Sequence, residues 1–389
     1  MLSDRMLDVP KSFIREILKV AADGNIISFA GGLPNPDFFP IEAFRVAADY
    51  VLKNEGAEAL QYSSTEGYLP LRQYISDRYK KNKGLEIDPD EILITSGSQQ
   101  GMDLMGKTFL NEGDEVAVED PSYLGAIQCF SMYKAKFHTI PLHEDGIDIE
   151  RFAEVIQNEK IKLFYTVPNF QNPSGITYTD EKRRQVTDIL RGTKTLLLED
   201  DPYGELRFIG SDVPPMKTYR SERSIILGSF SKTAAPGFRL GWLAAPREMM
   251  EKIIVAKQAS DLHSNYFCQR VLYRYLLEND LDEHIETIKE AYGKQREVMV
   301  EMIAKYFPEE VSYTKPEGGM FLWATLPKGL SSLELFDQCI KKGVAFVPGA
   351  PFYANGGGKN TLRLNYSNVN AATIEEGIKR IGETMKEML

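Results

Sequence analysis

One lysine lies among residues that could hold a phosphorylated aldehyde. Lys232 belongs to the run 229–242 (SFSKTAAPGFRLGW), which places hydroxyls beside the amine and a guanidinium, Arg239, after a Gly-containing turn. An amine condenses with an aldehyde, and hydroxyls together with an arginine bind phosphate. The combination indicates pyridoxal phosphate chemistry. The alternative is that Lys232 is a solvated surface lysine, as an isolated lysine usually is.

Other polar segments also follow short apolar runs. They are 95–101 (TSGSQQG), 169–175 (NFQNPSG) and 199–203 (EDDPY). The first opens a helical pattern, so its amides and hydroxyls form a candidate anion pocket, although it is neither a Walker A loop nor GxGxxG. In the other two, Asn172 could bond a phenolic oxygen and a carboxylate could pair with a pyridine nitrogen. Each also fits an ordinary turn or helix cap. Ligands bind at the carboxyl ends of strands in open α/β sheets, where we expect all of these segments.

The alternation of apolar runs with helical stretches predicts βαβ units and a largely parallel sheet covered by helices. A chain of 389 residues exceeds the usual size of one core, so we expect two domains. The predicted division is 1–40 as an N-terminal helix and substrate loop packing with the small domain, 41–285 as the large cofactor-binding domain, and 286–389 as the small domain. An amphipathic helix is predicted at 12–20, and a long one at 279–307.

Composition narrows the function further. The net charge of −10 argues against nonspecific nucleic-acid binding and against an anionic membrane surface. No apolar run is long enough to span a bilayer, and the N-terminus lacks a signal-peptide core. The three separated cysteines favour free thiols in a reducing compartment, and the four histidines form no helical metal-ligand pair. We expect a cytoplasmic protein without a metal, a nucleic-acid partner or a membrane partner.

Taken in order, the motifs resemble those of the fold-type I pyridoxal phosphate (PLP)-dependent aminotransferases of class I/II, along nearly the whole chain. The order is Gly-Ser-Gln-Gln, Asn-Pro-x-Gly, Asp-x-x-Tyr, Ser-x-Ser-Lys, Arg and a late Arg. The segments 29–36 (FAGGLPNP), 60–63 (LQYS) and 67–68 (GY) are most similar to the branch of 2-aminoadipate and kynurenine aminotransferases. The resemblance implies the α/β fold of these transferases, with a mainly parallel seven-stranded-type sheet between helices and a smaller α/β domain.

The resemblance also implies catalytic roles. Lys232 matches the Schiff-base lysine, which moves a proton at the substrate α-carbon. Asp200 matches the carboxylate on the pyridine nitrogen, and Tyr203 and Asn172 match the pair bonding the phenolic oxygen. Asp201 is the rival of Asp200, but successive strand side chains point to opposite faces and the Asp-x-x-Tyr spacing selects Asp200.

Further positions match binding residues of the family. The residues that match the phosphate-binding positions are Ser98, Gln99, Ser229, Ser231 and Arg239. Tyr123 matches the aromatic residue stacked on the cofactor ring, and Tyr62 a tyrosine that reaches the phosphate of the neighbouring subunit, which implies a homodimer with shared active sites. Arg363 matches the arginine that forks onto the substrate α-carboxylate, and Gly32 would let backbone approach the substrate.

The segment 257–261 offers no second arginine, besides Arg363, that could bind the side-chain carboxylate of a substrate. This argues against strict specificity for aspartate. Our hypothesis is that Arg15 takes the place of that arginine and binds the side-chain carboxylate of acidic substrates. The equal alternative is that Arg15 is a solvent-exposed arginine on a helix. We expect a ping-pong aminotransferase that moves the amino group of an L-amino acid (2-aminoadipate, glutamate, aromatic or branched) to a 2-oxo acid such as 2-oxoglutarate. The alternatives are a PLP-dependent β-lyase or decarboxylase, and a non-catalytic sensor like the modules fused to winged-helix domains.

Overall fold

The computed structural model describes residues 3–7, 17, 26–158 and 160–389. Its strands are β1 (Ile27–Ser28), β2 (Ile92–Thr95), β3 (Glu115–Asp120), β4 (Lys136–His143), β5 (Gly146–Ile147), β6 (Ile161–Thr166), β7 (Leu196–Asp200), β8 (Ser224–Ser229), β9 (Gly241–Ala244), β10 (Ser312–Tyr313), β11 (Phe321–Thr325), β12 (Val344–Ala345), β13 (Val347–Pro348) and β14 (Thr361–Asn365). Its helices are α1 (Asp4–Leu7), α2 (Ile41–Ala59), α3 (Leu69–Lys83), α4 (Ser98–Phe109), α5 (Leu124–Ser131), α6 (Ile149–Asn158), α7 (Asp180–Leu190), α8 (Arg247–Asp261), α9 (Tyr266–Glu278), α10 (Leu281–Tyr306), α11 (Ser332–Lys341) and α12 (Ala371–Met388).

The large sheet is mainly parallel. Within the described residues its eight strands have the order β2-β9-β8-β7-β6-β3-β4-β5. The neighbours from β8 through β7, β6 and β3 to β4 pair in parallel. Strand β9 is antiparallel to both β2 and β8, and β5 is antiparallel to β4. The parallel strands therefore end at one edge, where the polar segments of the sequence follow them.

Helices cover both faces of this sheet, and the period-two alternation of each strand divides its residues between separate apolar clusters. On β7, Leu196 and Leu198 belong to one cluster, whereas Leu197 lies in another with residues of α6 and α7. On β8, Leu227 faces the first cluster and Ile226 a third one, formed with α2, α3 and α9. Strands buried on both faces carry continuous apolar runs, as these do.

A smaller α/β unit follows. The described residues place four strands in an antiparallel sheet of order β10-β11-β14-β13. Helix α10 leads into this sheet and packs against α12. The short strand β1 pairs in parallel with β12, which brings the chain before α2 to this unit.

The predicted fold class is confirmed, with one more strand in the large sheet than the seven-stranded type because the short hairpin partner β5 extends its edge. The long helix expected at 279–307 is α10. The helix expected at 12–20 lies outside the described residues except for Ile17, which is helical and buried. The boundaries at 40 and 285 stay predictions. Over the part of the chain that the structure describes, no helix is long and apolar enough to cross a membrane.

Candidate active site

Asp200 is the last residue of β7 and shares a face with Leu196 and Leu198. Its side chain is buried, and Oδ2 accepts a hydrogen bond of 2.8 Å from the Tyr165 hydroxyl of the neighbouring strand β6. Asp201 lies beyond the strand, is only half-buried and accepts a hydrogen bond from Asn169. The two adjacent aspartates therefore have different surroundings, and only Asp200 lies in the buried site.

The second carboxylate oxygen of Asp200, Oδ1, is buried and has no hydrogen-bond partner among the described residues. Burial raises the pKa of Asp200 to about 7, against the hydrogen bond from Tyr165, which lowers it. A buried carboxylate oxygen without a donor is costly unless a ligand supplies one. This oxygen is therefore suited to a ligand that presents an N–H group.

Lys232 lies in the turn that follows β8 and is half-buried. Its Nζ donates a hydrogen bond of 2.8 Å to the carbonyl oxygen of Gly32. Burial, together with the nearby positive charges of Arg363 and Arg239, lowers the pKa of Lys232 to about 8. A pKa of about 8 leaves about a tenth of this amine neutral at pH 7, far more than for an ordinary lysine, and the neutral form is the nucleophilic and proton-accepting one.

Arg363 on β14 brings a buried positive charge to the same place. Nη1 donates to Asn172 Oδ1 and Nη2 to the carbonyl oxygen of Ala30, both at 2.8 Å. The guanidinium carbon lies 4.2 Å from the ring centroid of Phe321 and 5.2 Å from that of Phe352. Its Nε is buried without a hydrogen-bond partner in the described structure. Burial lowers the pKa of Arg363 to about 10, so the site favours an anion beside it.

Asn172 and Tyr203 are neighbours, as the motifs predict: Asn172 Nδ2 lies 3.4 Å from the Tyr203 hydroxyl, and both side chains are buried. Glu119, which no sequence motif singles out, fixes the loop carrying Asn172. Its carboxylate accepts hydrogen bonds from Gln171 at 2.8 Å and Tyr178 at 2.8 Å. Tyr165 and Glu119 were missed because their partners lie tens of residues away along the chain and no local pattern joins them.

The predicted phosphate residues lie after β2, at and after the end of β8, and, for Arg239, just before β9. Ser229 Oγ donates to Ser231 Oγ at 2.9 Å. Ser98 and Gln99 form the first turn of α4, whose free amides favour an anion. Gly97 has φ +75°, and a Cβ there would come within 2.7 Å of Arg239 Nη2, so glycine permits the close approach of loop and guanidinium.

The remaining predicted residues differ in position. Burial and the Asp200 carboxylate raise the pKa of Tyr123, and the positive charges of Arg363 and Arg239 lower it, which places all four groups within electrostatic range. Tyr62 is 80% exposed, and its ring contacts His263 at 6.0 Å between centroids rather than this cluster. Gly32 contributes its carbonyl oxygen, which accepts the hydrogen bond from Lys232. Arg15 lies outside the described residues.

This set of residues fits PLP. The half-buried amine of Lys232 suits the aldehyde, the unpartnered Oδ1 of Asp200 suits a pyridinium N–H, and Asn172 with Tyr203 suits a phenolic oxygen. The serines, the first turn of α4 and Arg239 suit the phosphate. Arg363 is left for a second anion, the carboxylate of an amino acid.

Comparison with known proteins gives the family. The model for aminotransferase class I and II matches residues 28–381. The chain belongs to this family. It is 42% identical to aromatic-amino-acid aminotransferase 1 of Thermococcus litoralis, over 99% of this chain and 94% of that protein.

Two solved structures resemble the whole chain. Kynurenine aminotransferase of Pyrococcus horikoshii, in complex with PMP, KYN and KYA, has a TM-score of 0.96 and 43% identity, covering 100% of this chain and 98% of that one. Alpha-aminoadipate aminotransferase of Thermus thermophilus, with N-(5'-phosphopyridoxyl)-L-leucine, has a TM-score of 0.93 and 40% identity, covering 100% and 97%. The predicted family, aminotransferase activity and PLP cofactor are confirmed.

The raised pKa of Asp200 predicts that the stability of the wild type relative to Asp200→Asn depends on pH. The folded cofactor-free protein holds a proton on Asp200 between the ordinary pKa of 3.8 and about 7, where the unfolded chain has released it. Its stability therefore falls as the pH rises through this window. We expect cofactor-free Asp200→Asn to exceed the wild type in free energy of unfolding by about 4 kcal/mol at about pH 8 and by about 2 kcal/mol at about pH 5, measured in urea.

Cofactor affinity provides the control. Asp200→Asn should bind PLP more weakly despite its greater stability, because an amide cannot supply the negative charge. Asp201→Asn should retain the affinity of the wild type, since its side chain bonds Asn169 instead. A stability difference for Asp200→Asn that is equal at the two pH values would contradict this assignment.

Proposed function

We propose that this aminotransferase moves the amino group of an L-amino acid to a 2-oxo acid such as 2-oxoglutarate in a ping-pong reaction, with Lys232, Asp200 and Arg363 as its principal site residues. The proposal rests on the buried Arg363. Its guanidinium forms an ion pair with none of the described carboxylates, and its positive charge contributes to the lowered pKa of Lys232. An amino acid supplies the missing anion and places its α-carbon near the amine.

Each group then has a chemical task. Arg363 orients the α-carboxylate through two parallel donors, for which Asn172 and Ala30 already hold the guanidinium plane. The neutral amine of Lys232 takes a proton from the α-carbon and returns it, and its lowered pKa favours both directions near neutral pH. Bound PLP supplies the electron sink, and Asp200 stabilises the protonated pyridine nitrogen.

The proposed amino donors are aromatic amino acids, kynurenine, 2-aminoadipate and glutamate, with branched amino acids as further candidates. Relatives that are 40–43% identical over nearly the whole chain bear the names of aromatic, kynurenine and aminoadipate aminotransferases. The aromatic rings of Phe321 and Phe352 beside Arg363 support an apolar side chain. A panel of acidic, aromatic, branched and kynurenine-like donors ranks them by kcat/KM.

The half-reaction tests the proposed chemistry directly. Glutamate alone, added to the purified holoenzyme, should convert the cofactor to its amine form and release one equivalent of 2-oxoglutarate per site, which absorbance and product assay follow. Lys232→Ala should lose this conversion, because no other described lysine lies in the site. Pyruvate and ammonia from a cysteine-like substrate would instead indicate a lyase, and cofactor binding without any turnover a sensor.

For Arg15 we propose contact with the carboxylate of acidic side chains. The support is the lack of another arginine in 257–261, where Lys257 is already bonded to Asp261. Arg15→Ala should raise KM for glutamate and 2-aminoadipate by about tenfold, the range of a lost charge-assisted hydrogen bond, and leave leucine and phenylalanine unchanged. Equal effects on both substrate classes would contradict this role.

We further propose a homodimer in which Tyr62 binds the phosphate of the neighbouring subunit. Tyr62 is 80% exposed between exposed apolar residues, Leu60 at 72% and, beside its contact His263, Leu262 at 54%. Such patches favour association. Sedimentation should give a dimer, and Tyr62→Ala should weaken PLP binding by about tenfold.

Mixed dimers separate the two possible arrangements. If Tyr62 serves its neighbour, mixing Tyr62→Ala with Lys232→Ala restores one site of wild-type affinity and activity in each mixed dimer. If Tyr62 serves its own subunit, no mixed dimer recovers such a site.

For the cellular location we propose the cytoplasm, on the composition alone, and cell fractionation tests it.

A further inference from the structure

Lys257, on α8, is a completely buried lysine that the proposed chemistry does not use. Its Nζ donates to Gln100 Oε1 at 2.8 Å, to both carboxylate oxygens of Asp261 at 2.6 and 2.8 Å, and to Ser264 Oγ at 2.9 Å. An ammonium group has three donors, and here they meet three different side chains. These hydrogen bonds and the opposite charge of Asp261 offset the cost of burying the amine, and they connect α8 to α4 and to the segment before α9.

The first partner leads to the proposed phosphate loop. Gln100 Oε1, which receives the Lys257 hydrogen bond, also accepts one of 2.8 Å from the Ser96 amide, and its Nε2 donates to Asp261 at 2.8 Å. The carbonyl oxygen of Ser96 lies 3.5 Å from Arg239 Nη2. Gly97 then packs against the same guanidinium. The amine thus fixes the turn that precedes Ser98 and Gln99.

The second partner leads to the segment before α9. Ser264 Oγ accepts from Lys257 and donates to the carbonyl oxygen of Ile94, on β2, at 3.2 Å. The adjacent His263 accepts a hydrogen bond of 3.3 Å from the Ser63 amide and contacts the ring of Tyr62. One buried amine therefore joins the end of β2, the start of α4 and the segment beside Tyr62.

We propose that Lys257 is a positioning residue for the cofactor phosphate, acting through Gln100 on the Ser96–Gly97 turn and on Arg239. The inference rests on the proposed phosphate role of this loop. It requires that loss of the amine weaken binding of the phosphate group while the contacts of the pyridine ring, made by Asp200, Asn172 and Tyr203, remain.

The test compares PLP with pyridoxal, which lacks the phosphate. The full chain, freed of cofactor, is titrated with each compound as wild type and as Lys257→Met, which retains the length of the side chain without its charge. We expect the Kd for PLP to rise about tenfold or more and the Kd for pyridoxal to stay within about twofold of the wild type. PLP release on dilution of the holoenzyme should accelerate correspondingly.

Lys217→Met is the matched control. Lys217 is only 4% exposed and its Nζ donates to the carbonyl oxygen of Ser224 at 2.7 Å, at the opposite end of β8 from Ser229. The Lys217→Met variant loses a buried amine that lies away from the site. We therefore expect lower stability in urea and an unchanged preference for PLP over pyridoxal. Equal weakening of both compounds by Lys257→Met, or weakening of neither, would overturn the proposal.

Gln100→Leu tests the connection if Lys257→Met does not fold. This change removes the Ser96 and Lys257 hydrogen bonds at a partly exposed position, and it should weaken PLP selectively by about tenfold. Where both variants fold, the double variant should bind PLP no more weakly than either single one, because they interrupt one path. Unchanged PLP binding by Gln100→Leu contradicts the proposal. Equal affinity of the wild type for PLP and pyridoxal would instead reject the phosphate role of the loop itself.

Discussion

A buried guanidinium ties together the parts of the chain that form the site. Arg363 comes from the small sheet, Asn172 from a loop after β6 of the large sheet, and Ala30 from the segment that precedes α2. Both hydrogen bonds are 2.8 Å long, and the rings of Phe321 and Phe352 exclude water from the charge. Removing the guanidinium would leave the Asn172 and Ala30 acceptors buried and unpaired, a larger penalty than the loss of the bonds themselves.

The electrostatics of the site follow from this arrangement. The positive charges of Arg363 and Arg239 act on Lys232, whereas burial favours the protonated form of Asp200, the carboxylate of the site. Burial and, after it, the positive charges of Arg363 and Arg239 lower the pKa of Lys232, and this excess of positive charge is unfavourable for the folded protein alone. A phosphate and a carboxylate reverse the imbalance, so the same charges that depress stability without ligand favour a cofactor and substrate of opposite charge.

Much of the site could be predicted because its chemistry follows strand ends. Asp200 could be chosen over Asp201 from strand periodicity and the Asp-x-x-Tyr spacing, and the structure gives the two side chains different surroundings. Tyr165, Glu119 and Lys257 could not be found, since an apolar or helical run containing them fits the core equally well. Their importance arises from partners across the sheet. The extra edge strand β5 escaped prediction because two residues carry no periodicity.

Two of the buried atoms without hydrogen-bond partners connect stability to function. Asp200 Oδ1 and Arg363 Nε lack partners in the described structure, and both belong to residues that the chemistry needs. Most buried polar groups are paired within the protein, as Glu119 is with Gln171 and Tyr178, so an unpaired atom in the site is open to a ligand. Leaving them free lets ligand binding add hydrogen bonds that the folded chain lacks. Binding energy is then spent on orienting the reacting groups, and the supporting interactions, from Glu119 on one side and Lys257 on the other, keep those groups in place before the ligand arrives.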